Sequence, residues 1–540
     1  MLNAKCSRQH RPMAKKWGVQ INSTKTTSSE FSLSPKKEAV KLTLEGKNLP
    51  QTETPSFLGV NLDTRLTWRP QVESMERKSI RRLAVMKKLA GTSWGGNTDI
   101  LKQVYTATVR PCMEYASTSW DTAAKTTKEK LDKVQNMGLR IMLGTLKSTP
   151  IKFMEKVSNV EPLQNRRNRK ILLQTEKIRR LPSHPLHSEL GKLTKNRIKR
   201  KSLNHLSRSL QRRYADCLPR DPSPSPLSLP ELPHKYEASP IIHMEIPGIA
   251  SRNQSPHVLK ALSLELIESR YPSESWVHVY TDGSSVKAVR NGGSGFYIIF
   301  PDGTKVSQSV PGGTRCTNFK AEILAIKSSA DYLTDCKKNI GSIVFLTDSM
   351  SAIQALNSRT DDPSIYSLLS SVNRLSQKAS TVIQWIPAHV GLPGNERADQ
   401  LAKIGSTLEQ PESHLSFTET KSQLHSFFKR EYSATHDGYS ATKDPIWTME
   451  RIQQTTLTRL RCGHCRLKYH MSKLGITESG KCDCGFPEQT PSHILQTCPL
   501  FSENRKKWWP EETPLETKLW GSKSDLLQTV GFITSIGLAI

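Results

Sequence analysis

No run of eighteen or more consecutive apolar residues occurs in this 540-residue chain, which argues against a membrane-spanning helix. The apolar stretch from Val530 to Ile540 is too short to cross a bilayer. The opening residues, MLNAKCSRQHRP, are polar and basic, so a secretory signal is not expected. Internal repeats at solenoid periods are missing too. Acidic residues are scarce: 49 Asp and Glu stand against 78 Lys and Arg, a net charge of +29. That imbalance favours polyanionic partners, nucleic acid before a membrane surface. Ten cysteines without a signal peptide suit a reducing, intracellular setting, nucleus or cytoplasm, where thiols ligate metals rather than form disulfides. Five of the ten lie beyond residue 460.

The length calls for several domains. Residues 1–218 read as a basic, mixed but largely helical region. PSFLGVNLDTRLTW carries a strand-like run and a turn. From Pro70 to Leu143 apolar residues recur every three or four positions: Ile80, Leu83, Met86 and Leu89, then Leu131, Val134, Leu139 and Met142. Between Arg166 and Arg213 sixteen Lys or Arg face only Glu176 and Glu189. Such a tract favours a phosphate-contacting surface over an ordinary solvated helix face. Lys195 to Lys201 also forms a weak nuclear-address pattern. The Pro/Ser-rich stretch Pro219 to Pro233 opens a linker over 219–270. A compact α/β domain is expected over 271–407, a helical linker region over 408–460, and a Cys/His region over 461–540.

The α/β domain carries its own chemistry. Between Trp276 and Ser406 it is nearly neutral, with thirteen Lys and Arg against ten Asp and Glu. The alternating strand WVHVYTD ends in Asp282, and Gly283 lets the backbone turn. GGSGFYIIF and TKVSQSVP give two more strands around a Pro-Asp-Gly turn. A helix starts near Thr317 or Asn318, with Phe319, Ile323, Ile326, Ala330 and Leu333 on one stripe and Glu322 beside it in the first turn. IVFLTD is apolar on both faces, as in a central strand, and ends in Asp348. Parallel and adjacent, the two strands would set Asp282 and Asp348 side by side in the crevice where α/β sheets place their sites. A fifth strand, TVIQWI, leads through a Gly/Pro-punctuated loop holding His389 into a helix with Asp399. Carboxylates that converge repel one another unless cations lie between them.

The phrases YTDGS, NFKAEILAI, LTDSMSA and IPAHVGLPGNERADQLAK, in this order and spacing, resemble type 1 ribonuclease H as found in non-LTR retrotransposon polyproteins. The resemblance covers about 130 residues. It implies a ribonuclease H-like mixed five-stranded sheet with flanking helices, preceded by the helical basic region and followed by a small α-rich zinc module. It also implies Mg²⁺-dependent endonucleolytic cleavage of the RNA strand of an RNA–DNA hybrid, leaving a 5′ phosphate. Asp282, Glu322, Asp348 and Asp399 would hold two Mg²⁺ (Mn²⁺ as substitute), typically ~3.5–4 Å apart. His389 would assist proton transfer or product release. Ser284, Asn318 and Asn395 would contact substrate, and RNA would be recognised by its 2′-hydroxyls. The basic, Trp-rich helical insert that some relatives use to grip hybrid is missing between Asp348 and His389, which shifts gripping to the flanks.

The flanks have likenesses of their own. KKWGVQINSTKTTSSEFS, PSFLGVNLDTRLTW and VRPCMEYASTSWDTAAKTTKEKLDKVQNMGLRIMLGTLKSTPI resemble the segment after the polymerase palm of non-LTR reverse transcriptases. The Tyr-x-Asp-Asp strand of that family is not present, so DNA synthesis by this chain alone is not expected. YADC at Tyr214 to Cys217 lacks the second Asp. Near the C-terminus, Cys482, Cys484, His493 and Cys498 offer three sulfurs and one imidazole, a set suited to tetrahedral Zn²⁺, with Gly485 and Pro487 shaping the turn. This segment resembles the Cys/His module that ends many such polyproteins. Cys462 and Cys465 are rival ligands in a four-Cys set with Cys482 and Cys484, while Cys6, Cys112, Cys217, Cys316 and Cys336 read as isolated thiols. Trp508 and Trp509 could stack on nucleic acid or pack in a core. RNA, DNA and their hybrid are thus the expected partners. The alternatives are a non-catalytic nucleic-acid-binding remnant and a transposase or integrase, which would need a late catalytic Glu where this chain has Asp399.

Overall fold

The computed structural model describes residues 24–32, 42–44, 46–190, 202–215, 239–249, 254–286, 290–357, 362–435 and 438–540, with residues 16, 18, 22, 34 and 218. Most of the KKWGVQIN stretch, the basic pattern Lys195 to Lys201, the Pro/Ser-rich stretch Pro219 to Pro233, Cys6 and Cys217 lie outside the described residues.

One compact unit comprises residues 1–172, 196–210 and 427–540. Its N-terminal helices α1 (Arg69–Lys87) and α2 (Lys125–Leu143) bury Val72, Met75, Leu83, Met86, Leu131, Val134, Leu139 and Met142 in one core. Ile80 and Leu89, expected on that face, are 40% and 44% exposed. Steps of three precess by about 60° each around a 3.6-residue helix, which carries Ile80 off the face, while Leu89 lies beyond the end of α1 at Lys87. The buried stripe of α1 runs Val72, Met75, Ser79, Leu83, Met86 instead.

The C-terminal helix Arg451–Cys462 packs in the same unit. Arg451 donates to the carbonyls of Gly91 (3.0 Å), Ile141 (2.7 Å) and Met142, and Arg459 donates to that of Gly144 (2.9 Å). Gln454 accepts from the Thr98 amide at 2.8 Å. Two buried guanidinium groups thus satisfy the free carbonyls at the C-terminal end of α2, where the helix dipole favours positive charge. The N-terminal helices and the helix of the 408–460 region, separate in the sequence reading, meet inside one unit through these bonds.

The second unit comprises residues 173–195 and 211–426. Its sheet is built from β1 (Ile241–His243), β2 (Trp276–Val286), β3 (Arg290–Ile299), β4 (Lys305–Gly313), β5 (Ser342–Thr347) and β6 (Ser380–Trp385), in the order β1-β6-β5-β2-β3-β4. β1, β6, β5 and β2 run parallel; β2, β3 and β4 form an antiparallel meander. The helices are α3 (Pro256–Arg270), α4 (Asn318–Asp335), α5 (Met350–Asn357), α6 (Pro363–Ser376) and α7 (Pro393–Thr407). The sheet therefore has six strands, not five. The sixth comes from the segment expected to be linker, whose later part also forms α3. Three residues are too few for a period-2 signal, and Ile241–His243 is a strand because β6 supplies its hydrogen bonds.

Ile343 to Leu346 of β5 are fully buried, as expected of a strand with parallel neighbours on both sides. Two glycines set how closely the helices approach. A Cβ at Gly283 would lie 2.2 Å from the Glu322 amide nitrogen, and one at Gly295 would lie 2.3 Å from the carbonyl oxygen of Ala398. Gly283 is thus a strand residue under the backbone of α4, not the turn expected there; β2 runs on to Val286. Gly283→Ala is expected to destabilise this unit by at least about 1–3 kcal/mol, seen as a lower urea midpoint with the first unit's transition unchanged.

Candidate active site

Register brings the first two carboxylates together. On the parallel strands β2 and β5, Thr281 pairs with Thr347, so Asp282 and Asp348 follow side by side. The third arrives on α4. Thr317 caps that helix by accepting from the Lys320 amide (3.2 Å), and Ile323, Ile326, Ala330 and Leu333 fix its buried face. Glu322 lies just past the first turn, which holds no acidic residue, so the helix N-terminus is not what accommodates its charge. Carboxylate oxygens of Asp282, Glu322 and Asp348 all lie within 4.8 Å of one another.

Burial and crowding make the trio hard to ionise. Asp282 is 7% exposed, and its carboxyl is pushed up to about 7, first by burial and then by the charge of Asp348. Glu322 is raised well above the ordinary carboxylate range by burial and by Asp282 and Asp348; its Oε2 is buried without a hydrogen-bond partner. Asp348 is also raised by burial, opposed by an Asn395 hydrogen bond and the charge of His389. An orphaned buried oxygen among three crowded carboxylates fits a divalent cation, which would satisfy the oxygen and cancel the repulsion.

Asp399 stands outside this 4.8 Å group. It lies on α7, which packs onto Gly295, and it pairs with Lys403 one turn on at 2.5 Å. Its charge still reaches the trio, raising both Asp282 and Asp348. His389 is exposed on the loop between β6 and α7, with a left-handed φ of 53°. That conformation costs a non-glycine residue of order 1 kcal/mol, and such strain clusters at functional loops. Asn395, expected on substrate, is 3% exposed and donates to Asp348 Oδ2 at 3.1 Å. Asn318 is exposed and accepts from the Ser285 hydroxyl at 2.5 Å; Ser284 is half-buried on β2, opposite Gly293. Sequence reasoning did not single out Ser285, nor Trp385, whose indole donates to the Asp348 carbonyl at 3.2 Å. Both act through contacts distant in sequence, and neither carries a local signal.

In the metal-free protein a carboxyl with a raised folded value lowers stability as pH rises. The ordinary value of Asp282 is 3.8 and its folded value about 7. The charged form is thus disfavoured by folding between these limits and above them. Asp282→Asn should therefore match the wild type near pH 4 and exceed it by a growing margin towards pH 8, on the order of 2–4 kcal/mol, read from urea unfolding in chelator. A flat difference across that range would contradict the assigned crowding.

The second cluster lies in the other unit. Cys482, Cys484, His493 and Cys498 have ligand atoms all within 4.8 Å of one another. Cys482 and Cys498 sulfurs are 3.7 Å apart, and Cys484 Sγ lies 3.2 Å from His493 Nε2. A tetrahedron with metal–sulfur bonds of about 2.3 Å has edges of roughly 3.8 Å, so the spacing fits zinc. His493 Nδ1 contacts the Thr497 hydroxyl (3.0 Å), which leaves Nε2 facing the thiols. The Cys482 amide donates to the Phe486 carbonyl and the Gly485 amide to that of Cys482, both at 2.9 Å, closing the turn. Cys462 and Cys465 join no such group among the described residues.

Two expected nucleic-acid surfaces are partly used up inside the fold. In the basic tract, Arg167 is 1% exposed and pairs with Asp121 at 2.9 Å; Arg166 and Lys170 pair with Glu114, and Arg169 with Glu161. Trp509 is buried against Phe532, and Trp508 bonds the Ser535 hydroxyl (3.2 Å). No described helix is long and apolar enough to cross a membrane.

A mixed sheet with Asp282 and Asp348 at the ends of its central parallel strands and Glu322 on the helix beside them is an arrangement of the ribonuclease H-like kind. The family comparison agrees: residues 274–407 match the RNase H family and form an RNase H domain. The chain is also homologous to a retrotransposon polyprotein. A Drosophila melanogaster protein described as "Probable RNA-directed DNA polymerase from transposon BS" is 29% identical over 129 residues, 23% of this chain and 14% of that protein. The chain thus spans about one seventh of that relative's length. Among solved structures, RNase H1 from the halophilic archaeon Halobacterium salinarum NRC-1 is 25% identical, covering 24% of this chain and 96% of its own, with a TM-score of 0.21. The N-terminal RNase H domain of a Mycobacterium tuberculosis protein, fused to maltose-binding protein, is 20% identical, covering 24% and 94%, with a TM-score of 0.21.

Proposed function

We propose that residues 271–407 hydrolyse the RNA strand of RNA–DNA hybrids as a type 1, Mg²⁺-dependent endonuclease within a retrotransposon-like polyprotein. The observation that carries this reading is the crowded trio Asp282, Glu322 and Asp348, with ligand oxygens within 4.8 Å of one another. Asp282, Glu322 and Asp348 would hold paired divalent ions, whose chemistry there would be activation of a water and neutralisation of charge on the leaving 3′ oxygen. The chain's own residues do the rest. Asp282 and Asp348 are held rigidly by sheet register, and Glu322 closes the third side from α4. Asn395 orients Asp348 through Oδ2. Asp399, at the margin, completes the ligand set once its pairing with Lys403 loosens. His389 passes a proton at its imidazole near the departing 3′ oxygen, on a loop free to release product. Ser284 and Asn318 line the path on which the RNA strand's 2′-hydroxyls are read.

The proposal extends to the flanks. The N-terminal helices are a reverse-transcriptase remnant without polymerase activity, Cys482, Cys484, His493 and Cys498 hold one zinc ion, and the setting is intracellular. Cleavage of a labelled hybrid by the full chain, with product ends analysed, tests the reaction. Internal RNA cuts with 5′ phosphates that vanish in EDTA and return with Mg²⁺ are expected. Intact RNA, or cleavage of the DNA strand, would reject the reading.

A further inference from the structure

The trio and the zinc cluster leave one sizeable feature of the first unit unexplained: a cavity of about 600 Å³ beside the Cys/His turn. Its walls come from the end of helix Arg451–Cys462, the helix Lys468–Lys473, the residues just before His493, and Ser148 of the N-terminal region. The volume lies within the range of small-ligand sites, roughly 300–1,000 Å³.

The lining has a consistent chemistry. It contains no Asp or Glu. Arg461 is neutralised in place by two bonds to Asp444, at 2.6 and 3.1 Å. Lys473 is exposed and has its ammonium 4.1 Å above the Tyr469 ring, so the cavity's available positive charge is held over an aromatic face. His464 and His470 have ring centroids 4.4 Å apart, and His470 Nε2 contacts the Ser148 hydroxyl at 2.9 Å. Burial lowers both imidazoles below their ordinary value, and the nearby charge of Lys473 lowers them further. Around neutral pH they serve as paired donors and acceptors rather than cations. Leu460, Leu515 and Leu519 supply an apolar wall.

An apolar wall, a pair of neutral hydrogen-bonding rings and one cation at the rim suit a planar, polar-edged body that carries a phosphate. We infer that this cavity binds a nucleotide, its base lodged against His464 and His470 and its phosphate on Lys473. Two sources supply that chemistry, a free mononucleotide or one unit of a single strand. The site is independent of the hydrolytic reading and lies in the other unit.

Because the whole chain is basic, overall affinity for nucleic acid cannot isolate the cavity. The test is photo-cross-linking of a 5-iodouridine decamer to the full chain, with the adduct mapped by mass spectrometry. An adduct within residues 460–474 is expected. It should fall at least fivefold in Lys473→Glu, which removes the rim charge, and in Leu474→Trp, which obstructs an exposed edge of the lining. Zinc content and hybrid cleavage should stay unchanged in both variants. Suppression of the adduct by excess uridine monophosphate would identify a free nucleotide as the occupant; suppression by unlabelled decamer alone would identify a strand. No adduct in that segment, or an adduct undiminished in Leu474→Trp, would overturn the proposal.

Discussion

Asp348→Asn should lower the rate of hybrid cleavage at least about 10³-fold while leaving the fold intact, because it removes one charge from the centre of the trio without changing its shape. The Asn395 bond to Asp348 Oδ2 sets a graded companion. Asn395→Ala keeps all the carboxylates but frees Asp348 to turn, and the loss expected for such an orienting partner is about 10- to 100-fold. The order of the two effects matters more than either size. If Asn395 instead contacted only substrate, its replacement would raise KM at constant kcat, whereas disordering a metal ligand lowers kcat and raises the Mg²⁺ requirement. Steady-state cleavage across a Mg²⁺ series separates these outcomes.

Removing zinc should have the second large effect. Cys482, Cys484, His493 and Cys498 lie within 4.8 Å of one another, and three of the four are buried in or beside the core containing Ile494, Leu495 and Phe532. Structural zinc contributes on the order of 10 kcal/mol to such small sites. A strong chelator, or Cys498→Ala, is expected to expose residues 482–498 to protease and to release one zinc per chain, measured by elemental analysis. Hybrid cleavage should survive this treatment once Mg²⁺ is restored, since the carboxylates belong to the other unit. Unchanged proteolysis in zinc-free protein would remove the metal from the account of that turn.

What was legible in the residues follows from how local the physics is. β5 was readable because a strand with parallel neighbours on both sides is apolar on both faces, and Ile343 to Leu346 show that directly. α4 was readable because its stripe keeps helical period over five positions. Asp282, Glu322 and Asp348 were legible through their motifs, and register did the rest. Other features depended on distant partners. β1 exists only because β6 hydrogen-bonds it. Gly283 looks like a turn residue until α4 is laid across it. The arginines of the tract looked free until Glu114, Asp121 and Glu161 were brought beside them. Arg451 and Arg459 gave no hint that they close the carbonyl end of a helix more than three hundred residues earlier.

The central claim is that Asp282, Glu322 and Asp348 share divalent ions, and the direct measurement is a Mn²⁺ titration of the full chain followed by electron paramagnetic resonance, with a non-cleavable hybrid present. The account predicts two ions bound in the wild type that Asp348→Asn fails to retain, with affinity weakening as pH falls below about 7. Identical isotherms for the two proteins would contradict it.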